Sequence, residues 1–348
     1  MNADSEAING QSPVGAKRER VDVVIVNYNT ADLLVDTLDD LHLHMPDHLD
    51  WSVFVADNDS ADDSVERVRN AWPDVNLIEM GGNTGFCRAN NAAIRAGDAE
   101  YVLLVNTDTR LFSNTVDSLL DTLRSDSSAA VVAPRLQFAD GRFQPAASGA
   151  EVTLHSYLMW GSGLERFADR WPFLEGTYTT RDHGRVMQVG WVSSACMLLR
   201  RKAIESVGLM NEEIFLYMDD VDLCHRLRSA GWTVWFRGDV QAVHFMSGGE
   251  LRRPGTISPH TVDSLTRWFD SQHGRWRSRA FRATGVLAHG ARSGRLAMRY
   301  ALRRDAESLD RTVMNLRLAQ YFIRSGVEPP SMDVVDVSIE SHQAREKL

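Results

Sequence analysis

Four short runs of β-branched and aliphatic residues crowd the first third of the chain, and each ends in small polar residues. They are VDVVIVNYN from Val21, WSVFVADNDS from Trp51, VNLIEM from Val75 followed by GGNTG, and YVLLVNTDT from Tyr101. A continuous apolar run of this length and composition reads as a strand buried on both faces. Between the runs lie helical stretches. ADLLVDTLDDLHLHM carries Leu34, Leu38 and Leu41 at helical spacing, and SVERVRNAW and RANNAAIRAGD follow the later runs. Strand–helix alternation with apolar strands predicts an α/β fold built on a doubly wound, mostly parallel sheet.

The pattern loosens from about Val131. The stretch from Gly141 to Gly184, rich in Trp, Gly and turn residues, predicts a long loop or short helices. VGWVSSACMLLRR predicts one strand, and Asp219-Asp220 open an amphipathic helix ended by Gly231. WTVWF and DVQAVHF predict two more strands, and Leu309, Val313 and Leu316 share one face of a later helix. Residues 1–20 lack periodicity and an apolar signal core, and predict a disordered tail; residues 329–348 predict a mobile one. The ordered part divides into 21–249, with halves 21–135 and 136–249, and a basic helical extension, 250–328.

With 43% apolar residues in 348 the chain has material for a large core. Its three scattered cysteines exclude a disulfide framework and fit a cytoplasmic chain. The net charge of −9 argues against general nucleic-acid binding. That charge is uneven. From Arg275 to Arg304 there are nine arginines and no acid, so this segment is +9 and the remainder is −9 − 9 = −18. Such asymmetry points to a local anionic partner. An anionic membrane surface at the cytoplasmic face of the plasma membrane is one reading. The other packs the segment on the acidic part of the chain or in a homodimer.

Ligands of open α/β sheets sit beyond the carboxyl ends of the strands. Those ends hold Asn27-Tyr28-Asn29, Asp57-Asn58, Gly82-Asn83-Thr84-Gly85 and Asn106-Thr107-Asp108. An Asp there can accept hydrogen bonds from a nucleobase or ribose. Gly85 before a helix lets backbone amides approach an anion. Asn106 and Asp108 offer two oxygens suited to Mg²⁺ or Mn²⁺. Singly, each is as well explained by a turn.

In order and together, the blocks VDVVIVNYNT, VADNDSADDSVE, GGNTGFCRANNAAI, YVLLVNTDT, VGWVSSACMLLRR, LMNEEIFLYMDDVDLCHRLRSAGW and AVHFMSGG resemble the family-2 glycosyltransferases. The resemblance spans 21–249 and is closest to bacterial rhamnosyltransferases and to cell-wall or O-antigen sugar transferases. It implies the GT-A fold, here with a helical C-terminal extension. It also implies residue roles. Asp57 would bind the pyrimidine base, with Tyr28 and Asn29 lining the base and ribose pocket. Asp62, Asn83, Gly85, Asn90 and Asn91 would complete the nucleotide site, and Arg88 would reach the diphosphate. Asp108 would be the second carboxylate of a DxD metal motif, Asn106 replacing the first, and His244 would add an imidazole. Asp220 would be the catalytic base, beside Asp219 and Tyr217, with Trp191 and Ser193 walling the sugar and acceptor site. Ser194 stands where many relatives carry Gly.

The activity so implied is inverting transfer of a sugar, rhamnose favoured, from a dTDP- or UDP-sugar to a saccharide or polyprenyl-linked hydroxyl. It would serve cell-wall or polysaccharide synthesis. Three alternatives are a sugar-nucleotide nucleotidyltransferase, a catalytically inactive scaffold that binds nucleotide-sugars, and a Rossmann oxidoreductase. The first lacks its basic glycine-rich signature, and the last lacks GxGxxG after the first strand.

Overall fold

A computed structural model describes residues 18–145, 147–179, 184–245 and 259–323. The tails expected at 1–17 and 329–348, and the boundary expected at 249–250, lie outside the described residues. Arg20, assigned to the tail by the sequence, is the first residue of β1.

The first half follows the alternation closely. It runs β1 (Arg20–Asn27), α1 (Ala31–His44), β2 (Asp50–Asp57), α2 (Ser64–Ala71), β3 (Asn76–Glu79), α3 (Phe86–Ala96) and β4 (Tyr101–Val105). These strands lie parallel in the order β3-β2-β1-β4. Helix α1 buries Leu34, Leu38 and Leu41, the residues whose spacing announced it. Each fully buried leucine contributes roughly 1.5–3 kcal/mol relative to exposure.

The second half departs from expectation in three places. After β5 (Thr109–Leu111) and α4 (Thr115–Ser125) comes β6 (Ala129–Gln137), a wholly buried strand where the sequence pattern loosened and no strand was expected. Pro134 hid it, because proline is rare within sheets. Here Pro134 lies beyond the short pairing with β10 and beside a register shift in β11, where its missing N–H costs little. Next come β7 (Ser148–Gly149), α5 (Leu154–Ser162), two 3₁₀ turns (Leu164–Phe167 and Pro172–Leu174) and β8 (Val186–Gln188). The strand expected over VGWVSSACMLLRR is broken into β9 (Trp191–Val192) and β10 (Cys196–Arg200), with Ser193–Ala195 turning between them. Helices α6 (Arg201–Ser206) and α7 (Asp219–Ser229) follow. The two strands expected last are one, β11 (Thr233–His244), bulged between Arg237 and Gln241.

Strand β10 runs antiparallel between β4 and β6, and completes the sheet β3-β2-β1-β4-β10-β6-β11-β5. Its amino end therefore emerges where β1, β2 and β4 have their carboxyl ends. The extension forms α8 (Pro259–His273), α9 (Arg275–Arg303) and α10 (Ala306–Ile323). Helix α8 is fixed to the main sheet unit by Trp268, whose indole N–H donates to Asp222 at 3.0 Å, and by Ser264, which donates to the Leu216 carbonyl. Phe269 stacks on Phe281 of α9 with ring centroids 4.1 Å apart.

Candidate active site

The strand ends of β1 and β2 are tied to each other. Asp57 is buried, and its Oδ1 accepts from Asn27 Nδ2 at 2.8 Å and Ser60 Oγ at 2.7 Å. Its Oδ2 accepts from the Ser60 amide at 2.9 Å. Asn29 has φ +53°, a conformation Asn tolerates, and its Oδ1 accepts from the Ala61 amide. Tyr28 projects outward beside it, 42% exposed. Asp62 caps two helix starts, accepting from the Ala31 amide through Oδ2 and from the Ser64 amide through Oδ1. Its two oxygens thereby take up the first amide of each helix, a donor that a helix start leaves unpaired.

Asn83 accepts from Asn58 Nδ2 at 2.8 Å and so shapes the loop before α3. At Gly85 the φ is +87°, and a Cβ there would lie 2.7 Å from the Phe215 ring and 2.9 Å from its carbonyl. The following amide, of Phe86, donates to that carbonyl. The glycine thus admits Phe215 of the protein itself where the sequence reading placed an anion. Asn90 and Asn91, expected to touch the nucleotide, are buried. Asn90 donates to the Phe86 carbonyl, and Asn91 pairs with the Met210 backbone in both directions and with Glu212. Asn91 thus holds α3 to the loop that precedes α7, and Asn90 bonds within its own helix. Arg88, expected at the diphosphate, donates to the Glu212 carbonyl of the same loop.

Asp108 and His244 meet at the other side of the cleft. His244 Nε2 lies 3.3 Å from Asp108 Oδ1, and the Phe245 amide donates to the Asp108 carbonyl. The second ring nitrogen of His244, Nδ1, lies 2.8 Å from Gln144 Oε1. Gln144 is buried and its Nε2 has no hydrogen-bond partner among the described residues. An imidazole held at one nitrogen with the other turned to a carboxylate is the arrangement metal-ligating histidines adopt. No third His, Cys, Asp or Glu joins the pair among the described residues. The donor set therefore fits a hard dication that completes its shell with phosphate oxygens and water. Gln144 escaped the sequence reading, since a single Gln in a turn carries no signal.

The acid pair stands at the start of α7, after a turn in which Tyr217 and Met218 have φ +63° and +68°. Positive φ at two consecutive bulky residues is costly, on the order of 1–3 kcal/mol each, and such strain clusters at functional sites. Asp219 is buried and accepts from Ser194 Oγ at 2.8 Å. Asp220 is less buried, and the Val221 amide donates to its Oδ1. Burial, and then the charge of Asp219, push the Asp220 carboxyl well above the ordinary carboxylate range. Burial raises Asp219 as well, against the pull of the Ser194 hydroxyl. Asp222, the third acid of the block, is spent on Arg226 and Trp268.

One short segment brings the two sides together. Ser194 donates to Asp219, while the carbonyl of Ala195 accepts from the Asn106 amide at 3.0 Å and from Thr109 Oγ1 at 3.2 Å. Ser193 donates its amide to the Ala147 carbonyl, and Trp191 is buried with its indole N–H on the Thr177 carbonyl. Antiparallel β10 places this turn against the loop of Asn106 and Asp108, which a one-strand reading of the segment had missed.

Residues 22–208 match the family model described as Glycosyl transferase family 2. The chain is similar to an N-acetylglucosaminyl-diphospho-decaprenol L-rhamnosyltransferase of Mycobacterium tuberculosis, 29% identical over 239 residues that cover 65% of this chain and 77% of the relative. It is also similar to the low-salt glycan biosynthesis hexosyltransferase Agl10 of Haloferax volcanii, 26% identical over 55% of this chain and 57% of the relative. Among solved structures, a mannosyltransferase from Pyrobaculum calidifontis in complex with GDP-Man and Mn²⁺ has the same fold. Its TM-score is 0.55 at 17% identity, covering 90% of this chain and 89% of that one.

Proposed function

Since the chain belongs to glycosyl transferase family 2 and is a glycosyltransferase of the α/β GT-A architecture, we propose that it transfers a sugar, L-rhamnose favoured, with inversion. The donor is a dTDP- or UDP-sugar, and the acceptor is a hydroxyl of a polyprenyl-linked saccharide in cell-wall or polysaccharide synthesis. The name of the mycobacterial relative supports the sugar and the lipid-linked acceptor. The observation that carries the chemistry is Asp219-Asp220, linked through Ser194-Ala195 to the loop of Asn106 and Asp108.

Tyr28 and Asp57 hold the base and ribose at the ends of β1 and β2, and Asn29 and Asn83 shape the loops around them. Asp108 and His244, with Asn106 nearby, would hold Mg²⁺ or Mn²⁺. The ion supplies charge neutralisation on the departing diphosphate. Asp220 takes the proton from the acceptor hydroxyl as that oxygen attacks the anomeric carbon. A carboxyl with a raised pKa is the better base for this, because its proton affinity is closer to that of the group it deprotonates. Asp219, fixed by Ser194, keeps that affinity high through its charge. Trp191 and Ser193 wall the sugar, and Tyr217 lies at the acceptor side. A single base opposite the diphosphate inverts the anomeric centre in one displacement.

A panel of nucleotide-sugars, screened for thermal stabilisation with and without Mn²⁺, tests the donor. Stabilisation by a dTDP- or UDP-sugar that depends on the ion supports the reading. Failure of every nucleotide-sugar to stabilise the chain or to be consumed overturns it. The anomeric configuration of the product, read by NMR, tests inversion.

A further inference from the structure

The C-terminal helices turn polar as well as apolar side chains inward and leave large apolar ones outside. Helix α9 buries Ser278, His289 and Ser293 beside Phe281, Gly285 and Ala288, and exposes Trp276, Leu287, Met298 and Leu302, each at least 63% accessible. Those four positions are spaced by 11, 11 and 4 residues, which places them on one stripe of a helix with 3.6 residues per turn. The buried polar groups are satisfied: His289 bonds to Tyr157 and Asn315 at 3.0 Å each, and Ser293 donates to the Thr312 carbonyl. Burial lowers the His289 pKa to about 4, so the inner face carries no histidine charge at neutral pH. Helix α10 does likewise, burying Ser308, Thr312 and Asn315 beside Leu318 and Phe322. Leu309, Val313 and Leu316, whose shared face the sequence announced, look outward.

Arginines flank the α9 stripe. Arg277, Arg299 and Arg303 each follow a stripe residue by one position, hence about 100° round the helix, and Arg279 lies on the opposite flank. Arg277, Arg279 and Arg303 have no acidic partner among the described residues. A second exposed group lies in the two 3₁₀ turns after α5. There Phe167, Trp171 and Phe173 are 41–67% accessible. The guanidinium of Arg166 lies 4.7 Å from the Phe167 ring, and that of Arg170 lies 5.2 Å from Trp171. The end of α5, from which these turns lead, packs on α9: Arg295 donates to the Ser162 carbonyl, Arg292 stacks over Trp160 at 4.9 Å, and Gly161 makes room for Ala288.

We propose that the outward face of α9 and the aromatic knob form a docking surface for an anionic phospholipid bilayer. Apolar and aromatic side chains interleaved with arginine are the composition of a helix lying in a membrane interface. Nucleic acid would use the arginines but not the exposed Trp276, Leu287 and Met298. A symmetric pairing of two copies through this face would bring Arg277, Arg279 and Arg303 of one copy against the same face of the other. No described helix is long and apolar enough to cross a membrane, so the contact is peripheral. The knob also leads to the catalytic cleft. Its chain continues to Thr177 and Tyr178, which contact Trp191 by hydrogen bond and by edge-on ring packing at 5.8 Å. Resting on the acceptor reading above, that places a lipid-anchored saccharide next to the wall of the site.

The test is co-sedimentation of the full chain with vesicles of phosphatidylcholine alone and of phosphatidylcholine mixed with phosphatidylglycerol, at low and high salt. Binding to the mixed vesicles at low salt, much weaker at high salt, is expected. Each basic residue near an anionic surface is worth about fivefold, so Arg277→Glu/Arg279→Glu/Arg303→Glu lowers binding by at least roughly 100-fold. Trp171→Ser/Phe173→Ser weakens binding while leaving its salt dependence. Both variants keep the wild-type melting temperature and donor stabilisation. No binding at low salt, equal binding to neutral vesicles, or an unaffected triple variant overturns the proposal. So does a dimer in sedimentation velocity that the variants dissociate. A chain that binds vesicles but transfers no sugar refutes the catalytic reading and leaves the surface standing; one that transfers sugar to a soluble acceptor but ignores vesicles does the reverse.

Discussion

The two halves of the cleft treat their polar side chains in opposite ways. On the side of β1 and β2, Asn27, Asp57, Ser60 and Asp62 are bonded to the protein and to one another. On the side of α7 and β11, Asp219 accepts from the Ser194 hydroxyl, the adjacent half-buried Asp220 accepts from the Val221 amide, and a histidine and a carboxylate stand 3.3 Å apart. A polar network whose bonds are made fixes shape, whereas a buried charge with few partners stores reactivity. Under the proposed function, the difference separates residues that build the cleft from residues that act in it.

Asp220→Asn is the sharpest way to break the comparison. It keeps size and hydrogen bonding but removes proton affinity, so turnover should fall by roughly 10²–10⁴-fold with donor stabilisation intact. The same substitution should raise the melting temperature at neutral pH by about 2 °C or more. The sign follows from linkage. The folded pKa lies above the unfolded one, so ionisation at neutral pH opposes folding, and stability is gained as pH falls through the folded pKa. For the wild type, the acid limb of the kcat profile should fall off above the ordinary carboxylate range. A limb near the usual Asp value, or a mutant both inactive and destabilised, would place Asp220 among the structural residues.

Next in size, Gln144→Leu should weaken Mn²⁺ affinity by about 10–100-fold through loss of the bond that orients His244. Titration of Mn²⁺ followed by isothermal calorimetry in the presence of the donor nucleotide measures it, and unchanged affinity would detach Gln144 from the site. His244→Ala should cost at least as much.

The bonded side should respond as structure. Asp57→Ala leaves the Asn27 amide and the Ser60 backbone N–H without their acceptor. The expected cost is about 1–3 kcal/mol in urea unfolding, alongside loss of donor binding. Smallest of all, Asp62→Ala removes a cap worth about 1 kcal/mol and should leave donor affinity within a few-fold. A collapse of donor binding in Asp62→Ala without loss of stability would move that carboxylate from the frame to the nucleotide.

Periodicity alone determined the first half of this protein. Its strands are apolar runs buried on both faces, and Leu34, Leu38 and Leu41 mark the helix that covers them. Ordered motifs also marked Asp57, Asp108, Asp220 and His244, because turn residues after apolar strands and acids at a helix start are visible along a single chain. Three things were left to the tertiary structure. Strand β6 was hidden by Pro134 and made tolerable by a bulge in a strand a hundred residues away. Gly85 and Asn91 bear on the loop before α7, because packing decides what a small or polar residue faces. The stripe of Leu309, Val313 and Leu316 was legible, but its direction was not. Spacing fixes which residues share a face of a helix, and only the partners across Thr312, Asn315 and Phe322 decide which face turns inward.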